Sequence, residues 1–220
     1  FCLFAAPPER DLEWSEQGVE GGFRFLNRVW RFAAKHMTTI RDVTPYKGNL
    51  DTLSGDVRDL YRKTHETIQR VTRDIEDRFH FNTAISAVME LVNTLYSADK
   101  SSSTPEWPGV ARFAIESAVV LLAPIVPHFS EEIWAEMGHA ESILMAPWPE
   151  YREDALEKDD LLIVIQVNGK VRSRFTIAGN AADETIKEKA LSDERALKFV
   201  NQKPIKKVIV VKKKLVNIVV

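Results

Sequence analysis

Three cationic side chains, Lys170, Arg172 and Arg174, recur at every second residue directly after an Asn168-Gly169 pair. The apolar runs LLIVIQV and KVRSRFTI flank that pair. Asn-Gly favours a two-residue type I′ turn, because both turn positions need a positive φ, so the sequence predicts a β-hairpin here. Lys and Arg are the side chains that bind phosphate groups, and the chemistry that this pattern predicts is contact with an RNA backbone.

A two-residue turn fixes which residues face each other across the hairpin. The predicted pairs are Val167 with Lys170, Ile165 with Arg172 and Ile163 with Arg174. Residues directly opposite lie on the same side of a sheet, so we expect the three cations to share one face. The other face would seat a helix on its apolar side chains, namely Leu162, Val164, Val171, Phe175 and Ile177. Such a cationic face is either an RNA platform or a set of long side chains lying over aliphatic neighbours.

Further cations favour the platform. Five lysines lie near the end of the chain: Lys206, Lys207, Lys212, Lys213 and Lys214. Residues 158–220 hold 14 Lys or Arg against 7 Asp or Glu, a net charge of +7, which leaves a net of −9 for residues 1–157. This asymmetry predicts a polyanionic partner at the basic end, with a solvated basic surface as the alternative.

Arg58 and Arg62 are weaker candidates for RNA contact. They lie on a predicted helix among acidic residues, and such mixing is typical of a solvated face with salt pairs at helical spacing. Contact with RNA through Arg58 and Arg62 is the alternative hypothesis.

No pattern in the sequence predicts catalysis. The phosphate-binding and nucleophile motifs rich in glycine are missing, and the histidines at 36, 65, 80, 128 and 139 lack the spacing of metal ligands. Glu131 and Glu132 are adjacent on a predicted helix and point to different sides, so they do not form a general acid/base pair. A single cysteine, Cys2, excludes an internal disulfide. We therefore predict no catalytic residue, no metal and no cofactor within this chain.

Helices and a small sheet must position these residues. Apolar residues at three- and four-residue steps predict helices from Ser15 to about His36, over 56–79, 79–96 and 110–123, and a short one near 128–137. Ser15, Asn82 and Ser130 are candidate N-caps. The first helix is expected to bury one stripe: Val19, Phe23, Leu26, Trp30 and Ala33.

The predicted fold class is multidomain, an all-α helical bundle followed by a small α+β domain of ββαββ order. A helix broken near Ser192 would separate the hairpin from two strands, IKKVIVV and LVNIVV. The stretch 149–160 is rich in turn formers and charge, which indicates a linker. No apolar run approaches the ~20 residues of a membrane span, so we predict a cytoplasmic protein, and a monomer.

The residues also resemble a known family, the bacterial leucyl-tRNA synthetases. The matching blocks, in order, are FAAPPERDLEWSEQGVEGGFRFLNRVWRF (4–32), HETIQRVTRDIEDRFHFNTAISAVMELVN (65–93), PIVPHFSEEIWAEMG (124–138), VIQVNGKVRSRFTI (164–177) and the end of the chain. PHFSEEIW is shared by the leucyl, isoleucyl, valyl and methionyl enzymes, whereas LEWSEQGVEG and VNGKVRSRF point to the leucyl enzyme. The resemblance covers nearly the whole chain.

The resemblance implies a division of labour. Residues 1–12 would be the tail of an upstream catalytic region. Residues 13–148 would form the helical domain called anticodon-binding, which in this family supports the body of tRNA rather than reading the anticodon. After the linker at 149–160, residues 161–220 would form the domain that reaches the outer corner of tRNA, where the D and T loops meet.

The resemblance further implies that tRNA(Leu) is the partner, together with upstream catalytic and editing domains of the same polypeptide. The enzyme would be a leucine–tRNA ligase, and ATP with magnesium would bind its upstream catalytic domain, so this chain alone would be inactive. Two alternatives remain: the equivalent region of an isoleucyl or valyl enzyme, and a non-catalytic helical module that binds protein.

Overall fold

The computed structural model of the 220-residue chain divides into two compact units, Phe1–Leu156 and Glu157–Val220. The structure describes residues 1–77, 79–156, 160–179, 181–200, 204–211 and 214–220. A helical bundle followed by a small α+β unit is the predicted fold class, which is thus confirmed.

Six α-helices lie within the described part of the first unit. They are α1 (Cys2–Ala5), α2 (Glu16–Ile40), α3 (Gly55–Glu76), α4 (Phe81–Ala98), α5 (Trp107–Leu122) and α6 (Pro127–Glu136). Short 3₁₀ turns follow at Leu50–Thr52, Asp99–Ser101, Ile143–Met145 and Asp154–Leu156. Helix α5 is apolar on nearly every side, and α2, α3, α4 and α6 all pack against it. It is therefore the centre of the bundle.

The helix starts follow the sequence only in part. The Ser15 hydroxyl oxygen accepts a hydrogen bond from the amide of Gly18 at 3.2 Å, which confirms Ser15 as the N-cap of α2. The predictions for Asn82 and Ser130 are wrong. Both residues lie inside their helices, whose N-caps are His80 and Val126. In α6, Pro127 occupies the first turn, where its missing amide costs nothing, so the helix starts before Ser130.

Helix α2 buries a different stripe from the predicted one. Phe23 is 67% exposed and Trp30 is 39% exposed. The buried residues are Phe25, Val29, Phe32, Ala33, His36 and Ile40. Both stripes have helical spacing and lie about one residue apart on the helix surface, so packing against α4, α5 and α6 decides which is buried.

The second unit is a four-stranded sheet with two helices on one side. Its elements are β1 (Asp160–Val167), β2 (Lys170–Ala178), α7 (Asp183–Leu191), α8 (Glu194–Val200), β3 (Lys207–Val211) and β4 (Leu215–Val219). The strand order is β2-β1-β4-β3, with β1 and β4 parallel and the outer pairs antiparallel. Ser192 ends α7, which confirms the predicted break in the helical segment.

The helices lie on the sheet face opposite to the predicted one. Ile163, Ile165 and Val167 are buried against α7 and α8, whereas Leu162 is 58% and Val171 is 51% exposed. The physical reason is a β-bulge, because the register shifts between Ile165 and Gln166. One extra residue in β2 exchanges the sides of all residues that follow it, relative to a regular ladder.

Part of the predicted linker packs on the helical unit. Ala155 is buried, and the Arg152 guanidinium donates through Nη1 to the carbonyl oxygens of Lys47 at 2.9 Å and Gly48 at 3.0 Å. The Arg152 amide also donates to Nδ1 of His65 at 3.2 Å. Residues 149–156 therefore belong to the first unit and are held there by specific contacts.

Candidate nucleic-acid interface

The hairpin turn that carries the candidate cations has the predicted backbone. Asn168 has φ 49° and Gly169 has φ 78°, the positive values that a type I′ turn requires. Side-chain contacts tie this turn to β4. The Gly169 amide donates to Oδ1 of Asn217 at 3.1 Å, and the Val220 amide donates to Oδ1 of Asn168 at 3.1 Å. The turn is thus fixed to the middle of the sheet, although it lies at one end of the hairpin.

The structure does not bring Lys170, Arg172 and Arg174 onto one face. Lys170 pairs with Val167, whose side chain is buried beneath the helices, so Lys170 lies on the helix side. Arg172 is the extra residue of the bulge, and Arg174 pairs with Val164 on the opposite side. The prediction of a shared cationic face is therefore wrong, and the bulge is the reason.

Arg172 is directed at a helix. Its guanidinium carbon lies 4.0 Å from the centroid of the Phe199 ring on α8, which is cation–π geometry. Its Nε is buried without a hydrogen-bond partner among the described residues. This contact holds the bulged part of β2 against α8, so Arg172 has a packing role whatever else it binds.

The lysines near the end of the chain fall at different places. Lys207 is exposed, starts β3 and pairs with Val219. Lys206 precedes it and donates its amide to the carbonyl oxygen of Val219 at 2.8 Å. Lys214 is exposed in the turn before β4. Lys212 and Lys213 lie outside the described residues.

Arg58 and Arg62 are largely enclosed on the helical unit. Their side chains are 23% and 14% exposed, with the guanidinium groups 3.2 Å from Asp51 and 3.7 Å from Asp59 respectively. Nearby, Lys63 donates to Glu90 at 2.6 Å, and this hydrogen bond lowers the pKa of the Glu90 carboxyl. The charged face of α3 is thus rich in ion pairs, the arrangement that its mixed charges predict.

Sequence reasoning missed the exposed apolar surface of the second unit. We define the open face as the side of the sheet away from α7 and α8. Its apolar residues are Leu162, Val164, Val171, Ile209, Leu215 and Val219. Gln166 and Asn217 lie side by side at its centre, and Arg174 and Lys207 lie on its two outer strands. The alternation of β1 was visible in the sequence, but the bulge that assigns its two sides was not.

The remaining polar clusters of the described residues are structural. In the first unit Arg112 donates to Glu116 at 2.7 Å and to the carbonyl oxygen of Ile40 at 3.0 Å, and Glu116 accepts from His139 at 2.8 Å. The His139 ring stacks on Trp134. Within the described ranges no group of three His, Cys, Asp or Glu residues could hold a metal ion. Among those same residues, no helix combines the length and the apolar character that crossing a bilayer demands.

The family model described as the anticodon-binding domain of tRNA ligase matches residues 57–188, more than half of the chain. The chain belongs to this anticodon-binding domain family. The match begins in α3 and ends in α7, so it takes in the core of the bundle and the hairpin with its candidate cations.

The curated relatives of this family member are leucine–tRNA ligases. Those of Desulfatibacillum aliphaticivorans and Desulforapulum autotrophicum are each 56% identical over 220 residues, and that of Syntrophobacter fumaroxidans is 48% identical over 222 residues. Each match takes in 100% of this chain and 26% of the relative. The chain thus spans about a quarter of the length of these relatives, and its resemblance to the C-terminal portion of leucyl-tRNA synthetases is confirmed.

A solved structure of similar fold is the ternary complex of Agrobacterium radiobacter K84 agnB2 LeuRS, tRNA and LeuAMS. The TM-score is 0.86 with 29% sequence identity, over 99% of this chain and 28% of that chain. The fold of an anticodon-binding domain followed by a small sheet unit is therefore shared with a synthetase whose structure contains tRNA.

Proposed function

We propose that this chain is the tRNA-binding part of a leucine–tRNA ligase and positions tRNA(Leu) for leucylation by domains elsewhere in the polypeptide. The observation that carries the proposal is the full-length match to leucine–tRNA ligases at 48–56% identity. The similar fold in a LeuRS complex with tRNA supports the partner. The division of the positive charge supports it too, because residues 158–220 have a net charge of +7 and tRNA is a polyanion.

Binding rather than chemistry is the role that the residues support. ATP with magnesium is expected to bind the catalytic part of the ligase. Within the described residues no carboxylate cluster could hold the metal. The chain's residues therefore do not fit that cofactor, and we assign no step of the reaction to them. In isolation the chain is expected to form no aminoacyl-tRNA, and it is expected to act as a cytoplasmic monomer.

The two domains have separate roles in this proposal. Residues 13–148 support the body of the tRNA, and residues 161–220 contact its outer corner. Arg58 and Arg62 remain candidate contacts on the helical side, although their ion pairs would have to be exchanged for phosphate contacts. Lys170, Lys206, Lys207 and the run at 212–214 remain candidates on the sheet side.

Binding of labelled tRNA(Leu) to the 220-residue chain at two salt concentrations tests the proposal. We expect a complex at low salt that weakens steeply at high salt, because phosphate contacts release counterions. A tRNA for isoleucine or valine, added as competitor, separates the leucyl from the isoleucyl or valyl alternative. If the chain fails to bind any tRNA at low salt, the proposed function is wrong and the protein-binding module becomes the better hypothesis.

A further inference from the structure

The open face of the second unit has an unusual composition for a surface exposed to water. Leu162 is 58% exposed and Val171 is 51% exposed, although both lie within regular strands. The partner sheet face is covered by α7 and α8, whereas the described residues place no element on the open face. Exposed apolar patches of this kind mark interaction sites.

Cations bracket this apolar surface, and acidic groups do not. Arg174 is on β2 and Lys207 is on β3, which are the two outer strands of the sheet. Three interstrand spacings separate these strands, about 14 Å in all. Arg174 is level with the first residue of β4 and Lys207 with its last, so they also lie roughly 13 Å apart along the strands. Among the described side chains of the open face there is no carboxylate.

We infer that the open face docks unstacked nucleobases of the tRNA, with Arg174 and Lys207 binding phosphates at opposite corners. The apolar side chains Leu162, Val164 and Leu215 lie against the base faces, and Gln166 and Asn217 offer amide groups to base edges. A flat sheet cannot enter the grooves of an RNA helix, and bases are exposed on flat surfaces only where the RNA is unstacked or ends a stack. This inference rests on the proposed function and names the surface that performs it.

Charge complementarity favours RNA over protein as the occupant. The unit that carries the face belongs to a segment with a net charge of +7, and both charged side chains described on the face are positive. A second copy of the chain would bring like charges together on the same surface, which is repulsive. Binding of another protein through this face is the outcome that the experiment has to exclude.

Three double variants of the 220-residue chain test the inference against tRNA(Leu) across a salt series. Arg174→Ala/Lys207→Ala removes the two cations of the open face. Lys170→Ala/Lys198→Ala removes two exposed cations from the helix side and is the matched control, since the change in charge is the same. Leu162→Thr/Val171→Thr removes apolar surface from the open face and keeps the β-branched character that strands favour.

The three variants have distinct expected results. The open-face charge variant should lower the magnitude of the salt slope of log K by roughly 1.5, because each phosphate contact contributes about 0.7 to 0.9. The control should keep the wild-type slope. The apolar variant should weaken binding about fivefold with an unchanged slope, since stacking involves no counterion release. Circular dichroism spectra equal to that of the wild type would show that each variant is folded.

Two results would overturn the inference. Equal loss of slope in the open-face charge variant and its control would show only diffuse attraction by the basic unit. Wild-type affinity in the folded apolar variant, together with a dimer that this variant abolishes in sedimentation, would assign the face to protein contact. Failure of the wild-type chain itself to bind tRNA would instead overturn the proposed function, so the two failures are distinguishable.

Discussion

The guanidinium carbon of Arg172 lies 4.0 Å from the centroid of the Phe199 ring. A β-bulge turns this cation away from Arg174 and toward α8, so two arginines that are two residues apart in sequence face opposite sides of one sheet. One of them is a packing residue and the other is a surface cation. The two are expected to respond differently to the same substitution.

Arg172→Ala should destabilise the second unit by about 1 kcal/mol, because the cation–π contact and the packing of its aliphatic stem are both lost. Arg174→Ala should leave stability nearly unchanged, because Arg174 is exposed. Denaturant unfolding, with hydrogen–deuterium exchange in β1 and β2 to localise the effect, measures both. An equal loss of stability in the two variants would show that the bulge does not distinguish them.

Asp193 links the sheet to α8. It accepts hydrogen bonds from the Ser173 hydroxyl at 2.8 Å and from the Ala196 amide in the first turn of α8 at 2.8 Å. Asp193→Ala should cost about 2 kcal/mol in the free energy of unfolding, since a cap and a buried hydrogen bond are lost together. Asp193→Asn keeps a cap acceptor and should cost less. If the two substitutions had the same effect, the cap would contribute nothing.

The extent to which the sequence predicts this unit depends on the kind of interaction involved. Asn168-Gly169 predicts its turn because the required positive φ is a property of those two residues alone. The bulge at Arg172 could not be predicted, because it arises where Ser173 reaches Asp193 and Arg172 reaches Phe199. Both partners are distant in sequence. A one-residue shift then reverses which apolar set is exposed, and the candidate RNA-binding face changes with it.

The same limit applies to the helical unit. Spacing alone predicts that α2 is amphipathic, but two adjacent stripes fit that spacing and the wrong one was chosen. The central position of α5 was predictable, because a helix that is apolar on nearly every side has to be enclosed. The predicted linker had turn formers in plenty, yet its Arg152 finds carbonyl oxygens at Lys47 and Gly48 that no local pattern reveals.

His65 should make the stability of the helical unit depend on pH. Burial lowers the pKa of His65 to about 4, with the Arg152 charge acting in the same direction. The unfolded chain, with a pKa near 6.5, binds more protons between those values, so stability is full above pH 6.5 and falls as the pH drops toward 4. The loss due to His65 should reach about 3 kcal/mol. Chemical denaturation at a series of pH values measures it.

The matched control for this pH dependence is His128→Gln, since His128 is exposed. His65→Gln should flatten the dependence between pH 4 and 6.5, whereas His128→Gln should leave it unchanged. A wild-type pH profile in the His65 variant would show that other groups produce the effect.

Arg152→Ala should release residues 149–156 from the helical unit. Its guanidinium bonds to Lys47 and Gly48 would be lost, and the contact of Ala155 with the core would remain. We expect faster chymotryptic cleavage at Tyr151, because proteases cut segments that open locally. Asp154→Ala is the control, as it removes the ion pair with Arg152 and keeps both carbonyl contacts. Cleavage at the wild-type rate in Arg152→Ala would contradict the anchoring role.

The central claim is that this chain binds the body of tRNA(Leu) and performs no chemistry. Hydroxyl-radical footprinting of tRNA(Leu) with the 220-residue chain tests it most directly. We predict protection of the tRNA body and of the outer corner where the D and T loops meet, with the anticodon loop left accessible. We also predict that Arg174→Ala/Lys207→Ala removes the corner protection while the rest persists. Protection confined to the anticodon loop, or no protection at a chain concentration that saturates binding, would contradict the account.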